Sequence, residues 1–323
     1  MSTNAEWTDQ RWLASAHRWI AERLEDVGLR STGSIEQPHV RPWSTVLRVP
    51  TEGGPLWFKA NIPVLAHEAA VVGVLARRRP DAVPELLAGD EELGWMLMAD
   101  GGPRLREIVE HERDLGRWHA LLPQYGRLQL DLAEDADELV RCGAPDRRLA
   151  TLADQYAQLL DVLDGIPTGE LRRLRGLRPQ VVELCDQLAG SSVPETIQHD
   201  DLHDGQIFVA RDRYLFFDWG DACVSHPFFT MSVTLEGCIA WGLDDVEGSE
   251  DIGPYGDAYL LPFASFGSRA ELEEMRAIAL RLGWVCRALN VHLLALALGP
   301  PHRQEHLDAV RVRLKLFAAG LAG

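Results

Sequence analysis

Three polar residues near the middle of the chain, Asp201, Gln206 and Asp218, have the types and spacing needed for phosphoryl transfer. Asp201 lies in a polar segment that follows an apolar lead-in, and Gln206 comes five residues later. Asp218 directly follows residues 214–217, whose apolar pattern predicts a short strand. A carboxylate on a loop accepts or orients a hydroxyl proton, while an amide oxygen and a second carboxylate can hold Mg²⁺. We therefore interpret Asp201 as the catalytic residue and Gln206 and Asp218 as metal ligands.

The same segment also permits a different kind of metal site. His199 and His203 flank Asp201 at alternate positions, and Asp218 would complete a set of histidine and aspartate ligands. A metal-dependent hydrolase that uses His199, Asp201 and His203 is therefore an alternative function, and it would need no nucleotide. The other interpretation of His199 is a support for the loop through hydrogen bonds to the backbone.

A lysine in an apolar strand is the next candidate. Residues 44–49 alternate in character, residues 51–54 are typical of a turn, and residues 55–60 form a second strand, which together predict a β-hairpin. Lys59 ends this hairpin, where an ammonium needs a compensating charge. Glu68, nine residues later in a helix predicted over residues 64–79, is the natural partner, and a nucleotide phosphate would be another.

Two further segments are candidates for nucleotide contacts. Residues 37–44 lie where a loop over the phosphates is expected, although neither GxGxxG nor GxxxxGK[ST] occurs. Ser44 would donate a hydrogen bond to phosphate there. Residues 96–100 are extended and apolar, and their backbone groups, including those of Met98 and Ala99, would meet the edge of an adenine.

Composition narrows the classes of partner. The net charge of −17 disfavours a duplex nucleic-acid partner and is compatible with a cationic substrate. The five cysteines are scattered without a CxxC pair, which is typical of reduced thiols in a cytoplasmic protein. The N-terminus is polar and lacks the apolar core of a signal peptide, and the longest apolar run, residues 291–298, is too short to span a bilayer. We therefore expect a cytoplasmic protein without a membrane partner.

The pattern of predicted elements divides the chain near Asp100. Before it, a helix over residues 6–29, the hairpin, the helix over 64–79 and short strands over 83–87 and 94–99 predict a β-rich lobe, residues 1–99. The remainder, residues 100–323, is predicted to be mostly helical, with strands and loops only around 197–218. Its strongest helical patterns cover residues 270–298 and 302–321, and the acidic run over 244–251 is predicted as a loop.

These residues carry a family resemblance. The segments IQHDDLHDGQIFV and YLFFDWGDA resemble the H-G-D-L-H-x-x-N … I-D-[FW] signature of the aminoglycoside phosphotransferase and choline kinase-like family. The resemblance implies an α+β, bilobal, protein-kinase-like fold with a β-rich N-lobe and a mostly helical C-lobe. It also implies Mg²⁺-dependent transfer of the γ-phosphate of ATP or GTP to a small-molecule hydroxyl. By the same resemblance, Asp201 matches the catalytic aspartate, Asp218 matches the metal-binding aspartate, and Lys59 and Glu68 match the ion pair at the nucleotide phosphates.

Two positions depart from this signature. Asp200 stands where the family has glycine, and Gln206 stands where it has asparagine. A catalytically weak or silent nucleotide-binding pseudokinase is therefore a further alternative. If the chain is an active small-molecule kinase, its acceptor is a hydroxyl compound, with amino sugars and aminoglycosides as cationic candidates, and the expected assembly is a monomer or homodimer.

Overall fold

The computed structural model describes residues 7–210 and 213–320, and it divides the chain into two compact units. The sheet unit, as we call the first, is made of the chain up to Pro103, Phe208–Gly220 and Leu293–Glu305. The helical unit is made of Arg104–Ile207, Asp221–His292 and the chain from His306 onward. The sheet-containing part and the mostly helical remainder confirm the predicted α+β class.

A five-stranded antiparallel sheet with the spatial order β1-β2-β3-β5-β4 forms the centre of the sheet unit. Its strands are β1 (Glu36–Val40), β2 (Ser44–Thr51), β3 (Gly54–Asn61), β4 (Leu86–Asp90) and β5 (Trp95–Ala99). The predicted hairpin is confirmed, since β2 pairs with β3 with Thr51 opposite Gly54 and Val46 opposite Lys59. Gly54 has a φ of 113°, a conformation that favours glycine at the turn.

Strand β1 corrects the prediction of a loop over residues 37–44. Residues 36–40 pair with β2, and only residues 41–43 lie between the two strands. Ser44 is the first residue of β2 and is buried. The strand contains Pro38 and polar residues, which weaken a β pattern, but β1 is an edge strand, where a missing backbone donor is tolerated.

Helix α1 (Gln10–Asp26) corresponds to the helix predicted over residues 6–29. The side chain of Asp9 caps it by accepting hydrogen bonds from the backbone N–H groups of Arg11 at 2.8 Å and Trp12 at 3.1 Å. Apolar residues of the helix and the sheet share one buried cluster, which includes Ala16, Ile20, Leu24, Leu47, Val49, Phe58, Trp95 and Leu97. Residues 1–6, part of the N-terminus that the sequence predicts to be free of a signal peptide, lie outside the described residues.

Later parts of the chain also belong to the sheet unit. Strand β7 (Ile207–Ala210) pairs with β8 (Arg213–Phe216). The backbone N–H of Val209 donates to the Pro103 carbonyl oxygen at 2.9 Å, and that of Phe216 donates to the Ala82 carbonyl oxygen at 2.8 Å. These bonds position the loop after β8, which carries Asp218, against the sheet unit.

The helical unit contains most of the remaining helices. They are α3 (Leu105–Glu112), α4 (Arg117–Asp131), α5 (Ala136–Arg141), α6 (Leu149–Val162), α7 (Thr168–Gly176), α8 (Arg178–Ala189), α9 (Gly253–Leu260), and most of α10 (Arg269–Ala297) and α11 (His302–Gly320). Helix α2 (Glu68–Arg78) belongs to the sheet unit, as do the parts of α10 and α11 within Leu293–Glu305. Strands β6 (Thr196–Gln198) and β9 (Cys223–Ser225) form a small antiparallel pair. The helices predicted over residues 270–298 and 302–321 match α10 and α11, except that residue 321 lies outside the described residues.

Helix α10 is long and apolar enough to cross a membrane, judged by length and composition alone. However, 72% of its most apolar 18-residue window is buried within the molecule. A core helix passes the same test of length and composition, and the burial of α10 corresponds to that arrangement.

Candidate active site

Lys59, Glu68 and Asp218 lie together in the sheet unit. Lys59 is on β3, and its Nζ is 2.6 Å from Oε2 of Glu68, the first residue of α2. Lys59 also forms an ion pair with the carboxylate of Asp218, which follows β8. The contact between Lys59 and Glu68 is the one that the sequence predicts, and the structure adds the contact with Asp218.

Burial and the attraction between opposite charges together determine the pKa values of Lys59 and Glu68. Burial lowers the pKa of Lys59, but the attraction of Asp218 and Glu68 outweighs it and raises the pKa well above its usual value. Burial raises the pKa of Glu68 against the opposing effect of Lys59, and Asn61 Nδ2 donates to Glu68 Oε2 at 2.6 Å. Lys59 therefore remains an ammonium at neutral pH and is held in one place.

Position 59 holds a lysine in a chain whose basic residues are nearly all arginines. Lys59 and Lys315 are the only two lysines among the 32 basic residues of the chain, so arginine is its usual cation. An ammonium is a compact point charge, whereas a guanidinium is a wide planar fork. A compact cation on a sheet, fixed by two carboxylates, is suited to contact with a phosphate group.

The loop after β8 presents Asp218 in a constrained conformation. Asp218 has a left-handed φ of 66°, and its side chain is 42% exposed. The next residue, Trp219, is buried, and its Nε1 donates to the Phe216 carbonyl oxygen at 3.0 Å. Carboxylate oxygens are hard ligands, so the exposed part of Asp218 fits the ligand chemistry that Mg²⁺ prefers.

The loop that follows β6 carries Asp201 in the helical unit. The Asp201 side chain is 26% exposed, so a solvent molecule or substrate can reach it. His199 is fully buried, and its backbone N–H donates to Tyr125 Oη at 2.9 Å, which anchors the loop. Within residues 7–210 and 213–320, no group of three or more His, Cys, Asp or Glu side chains is arranged to hold a metal. The metal cluster of the hydrolase alternative is therefore not formed in the described part of the chain.

Arg287 of α10 is the main residue of this region that the sequence does not predict. Its Nη2 donates to Asp201 Oδ1 at 2.7 Å, and its Nη1 is 3.1 Å from Asp221 Oδ1 and 3.4 Å from Asp200 Oδ2. Although burial lowers the pKa of Arg287, the attraction of the three carboxylates raises it above its usual value. A charged residue inside the apolar pattern of α10 is the signal that would have drawn attention to it.

Asp200 leads to a prediction about the pH dependence of stability. Burial raises the pKa of its carboxyl to about 6, against the opposing effects of Arg287, Gln198 and Asn290. Between about pH 4 and pH 6 the folded state therefore holds a proton that the unfolded chain has released. The free energy of unfolding contributed by this group should fall as pH rises through that window, by an amount on the order of 2 kcal/mol, and stay constant above it.

The check is a comparison of wild type with Asp200→Asn by urea unfolding from pH 4.5 to pH 7.5. Wild type should be stabilised relative to the variant at the acid end, and the difference should shrink as the pH rises to 6. A difference that does not vary with pH would contradict the assignment.

Gln206 ends the short 3₁₀ turn Asp204–Gln206 that follows Asp201, and His203 caps the start of this turn. Gln206 is half-buried, and its backbone N–H donates to the His203 carbonyl oxygen at 2.9 Å. His203 Nδ1 accepts a hydrogen bond from the Gly205 N–H at 2.9 Å, and Arg106 Nε donates to Asp204 Oδ1 at 2.8 Å. These contacts hold the turn that carries Gln206, whose amide is of a type that can bind Mg²⁺.

Met98 and Ala99 lie inside the sheet. Both residues belong to β5, which lies between β3 and β4, so Met98 has Trp57 opposite it on one side and Leu86 on the other. The backbone N–H of Ala99 donates to the Glu85 carbonyl oxygen at 2.9 Å. The adjoining chain therefore already uses this donor, and the contact of Met98 and Ala99 with adenine stays a prediction.

An antiparallel sheet with a lysine–glutamate pair, and a helical unit with a partly exposed aspartate on a loop, are features of protein-kinase-like phosphotransferases. The sequence profile of the phosphotransferase enzyme family, APH, matches residues 35–278. Because this match covers more than half of the chain, the chain belongs to the phosphotransferase enzyme family. A comparison with curated proteins finds no match.

Several solved structures share the fold. An ethanolamine kinase of Plasmodium vivax aligns with a TM-score of 0.63 and 11% identity, over 95% of this chain and 88% of that one. A choline/ethanolamine kinase family protein of Mesorhizobium loti gives 0.57 and 19%, over 96% and 98%. Aminoglycoside phosphotransferase APH(2'')-Ib, bound to ADP, gives 0.55 and 11%, over 95% and 98%. At these identities the similarity shows the fold.

Proposed function

We propose that this chain is a small-molecule kinase that transfers the γ-phosphate of ATP or GTP to a hydroxyl group with the help of Mg²⁺. The observation that carries the proposal is the buried Lys59, fixed by Glu68 and Asp218 in a member of a phosphotransferase family. A nucleotide phosphate is the anion that such a fixed ammonium suits. A structural neighbour that binds ADP supports the same class of ligand.

Each site residue has a role in this proposal. Lys59 binds the α- and β-phosphates, and Glu68 holds Lys59 in place. Asp218 and Gln206 are the ligands for Mg²⁺, since both offer oxygen atoms. When bound, Mg²⁺ supplies positive charge that neutralises the phosphate oxygens.

Asp201 acts on the acceptor. A bond forms between the acceptor oxygen and the γ-phosphorus while the bond from that phosphorus to the β-phosphate oxygen breaks, so that the nucleoside diphosphate leaves. The hydroxyl proton passes to the Asp201 carboxylate, which also orients the attacking oxygen. Positioning contributes most of the catalysis in this kind of transfer, so a fixed carboxylate matters more than a strongly basic one.

We propose a hydroxyl compound with an amino group as the acceptor. The chain carries a net charge of −17, and residues 244–251 form an exposed acidic segment without helix or strand. Such a surface attracts cations. The neighbouring structures include kinases named for ethanolamine and aminoglycosides, which supports an amine-bearing acceptor.

The experiment is an ADP-release screen over aminoglycosides, amino sugars, amino alcohols of the choline type, and matched hydroxyl compounds without an amine. Acceptor-dependent ADP release that EDTA abolishes is the expected result, with amine compounds as the better acceptors. In parallel, ATP or GTP with Mg²⁺ should raise the melting temperature by several degrees, because a ligand that binds only the folded state stabilises it.

Three outcomes would contradict parts of the proposal. Stabilisation by nucleotide without transfer to any acceptor would favour the silent nucleotide-binding alternative. Turnover in the absence of nucleotide would favour the hydrolase. Equal rates with amine and amine-free acceptors would contradict only the proposal of a cationic acceptor and would leave the kinase activity supported.

A further inference from the structure

We propose that Arg287 is the positioning residue of Asp201, and that Asp200 holds Arg287 in the required place. The inference deepens the proposed function and rests on it, because it concerns how the carboxylate that meets the acceptor hydroxyl is oriented. All of the residues involved lie in the helical unit.

The Arg287 guanidinium is buried and faces several carboxylates. Arg287 is 7% exposed, and its two terminal nitrogens reach three carboxylates. Its shortest contact in this group, 2.7 Å from Nη2 to Oδ1, is the one with Asp201. A guanidinium has its donors in a rigid plane, so it fixes the direction as well as the distance of the carboxylate that accepts from it.

The backbone conformation and the contacts of Asp200 suit an acid at this position. Asp200 has a left-handed φ of 63°, which aspartate tolerates better than most residues. Its side chain is almost fully buried and accepts from Gln198 Nε2 at 2.9 Å and from Asn290 Nδ2 at 2.8 Å. Asp200 is therefore held from β6 and from α10, and it supplies a fixed negative charge beside Arg287.

Two residues of α10 contact the loop that carries Asp200 and Asp201. Asn290 is three residues after Arg287, so both side chains lie on one face of the helix. One helical turn thus contacts the loop at Asp200 twice and at Asp201 once. Asp200 departs from the family signature, and the sequence suggests this departure as a source of weakened activity. In this proposal Asp200 instead helps to orient Asp201 through Arg287.

The test compares Arg287→Lys with Arg281→Lys, a matched change on the same helix that lies outside this group of contacts. Arg287→Lys keeps the charge but loses the planar pair of donors. We expect kcat to fall by about 10²-fold, as for a small misplacement of a reacting group, and the KM for nucleotide to change by less than about twofold. Arg281→Lys should behave as wild type.

A double-mutant cycle separates positioning from a structural role. If Arg287 acts through Asp201, then Arg287→Lys has no further effect on the single-turnover rate in the Asp201→Asn background. An equal loss in both backgrounds, or a wild-type kcat in Arg287→Lys, overturns the inference. If Arg287→Lys folds poorly, Asp200→Asn provides a second variant, because it weakens the same contact from the loop side and should also lower kcat.

The outcomes distinguish this inference from the proposed function. Wild-type transfer that is lost in Asp201→Asn but unchanged in Arg287→Lys overturns the positioning role only. Absence of acceptor-dependent transfer in wild type overturns the proposed function, and the positioning role of Arg287 with it.

Discussion

Asp201→Asn is expected to lower the rate of phosphoryl transfer by about 10²–10⁴-fold while nucleotide binding stays nearly unchanged. The variant removes the group that accepts the hydroxyl proton but keeps an oxygen that can accept the hydrogen bond from Arg287 Nη2. The contacts at Lys59 are made with Glu68 and Asp218, so they do not depend on this change. The measurements are kcat by ADP release and the thermal shift with ATP and Mg²⁺.

A matched control is available on the surface of the same unit. Asp161 lies on α6, where its exposed carboxylate pairs with Arg175, so Asp161→Asn should leave both measurements at wild-type values. Transfer at the wild-type rate in Asp201→Asn would contradict the catalytic assignment. Loss of the nucleotide-induced shift would show that the variant has a wider effect than proposed.

Lys59→Met is expected to have two large effects. The first is on stability, because Glu68 is 1% exposed and loses its cation, and the breaking of a buried pair costs about 3–5 kcal/mol. The second is on nucleotide binding, because the fixed ammonium is the proposed partner of the phosphates. Urea unfolding measures the first effect, and the thermal shift with ATP and Mg²⁺ measures the second.

The double variant Lys59→Met/Glu68→Gln separates these effects. Glutamine removes the uncompensated charge and still offers an oxygen to Asn61 Nδ2, so much of the lost stability should return. The nucleotide-induced shift should not return. Lys315→Met, which changes the only other lysine at an exposed position, is the control. A double variant that binds nucleotide as well as wild type would contradict the role of Lys59.

The features that the sequence predicts well are those encoded by local patterns. The β2–β3 hairpin follows from alternation around a glycine turn, and the pairing of Lys59 with Glu68 follows from a charge in an apolar strand close to a helix. Strand β1 is not predicted, because its polar, proline-containing sequence becomes a strand only through pairing with β2.

Contacts between distant parts of the chain are harder to predict. Arg287 reaches Asp201 across 86 positions, and no spacing rule connects a helix residue to a loop so far away. Asp200 stands where the family signature has glycine, which indicates that the loop differs from that of the family. The partners of Asp200, Arg287 and Asn290, are visible only in the folded chain. The proton state of Asp200 likewise depends on burial, which the sequence does not reveal.

The contacts of Arg287 also constrain the order in which this site can change by mutation. If Asp200 were lost first, Arg287 would still have Asp201 and Asp221 as counter-charges. If Arg287 were lost first, three carboxylates would be left crowded around the gap, at a cost typical of a broken buried pair. If the ion pair of Asp200 with Arg287 is lost during evolution, Asp200 is therefore expected to be replaced before Arg287. The two substitutions would then occur in a fixed order.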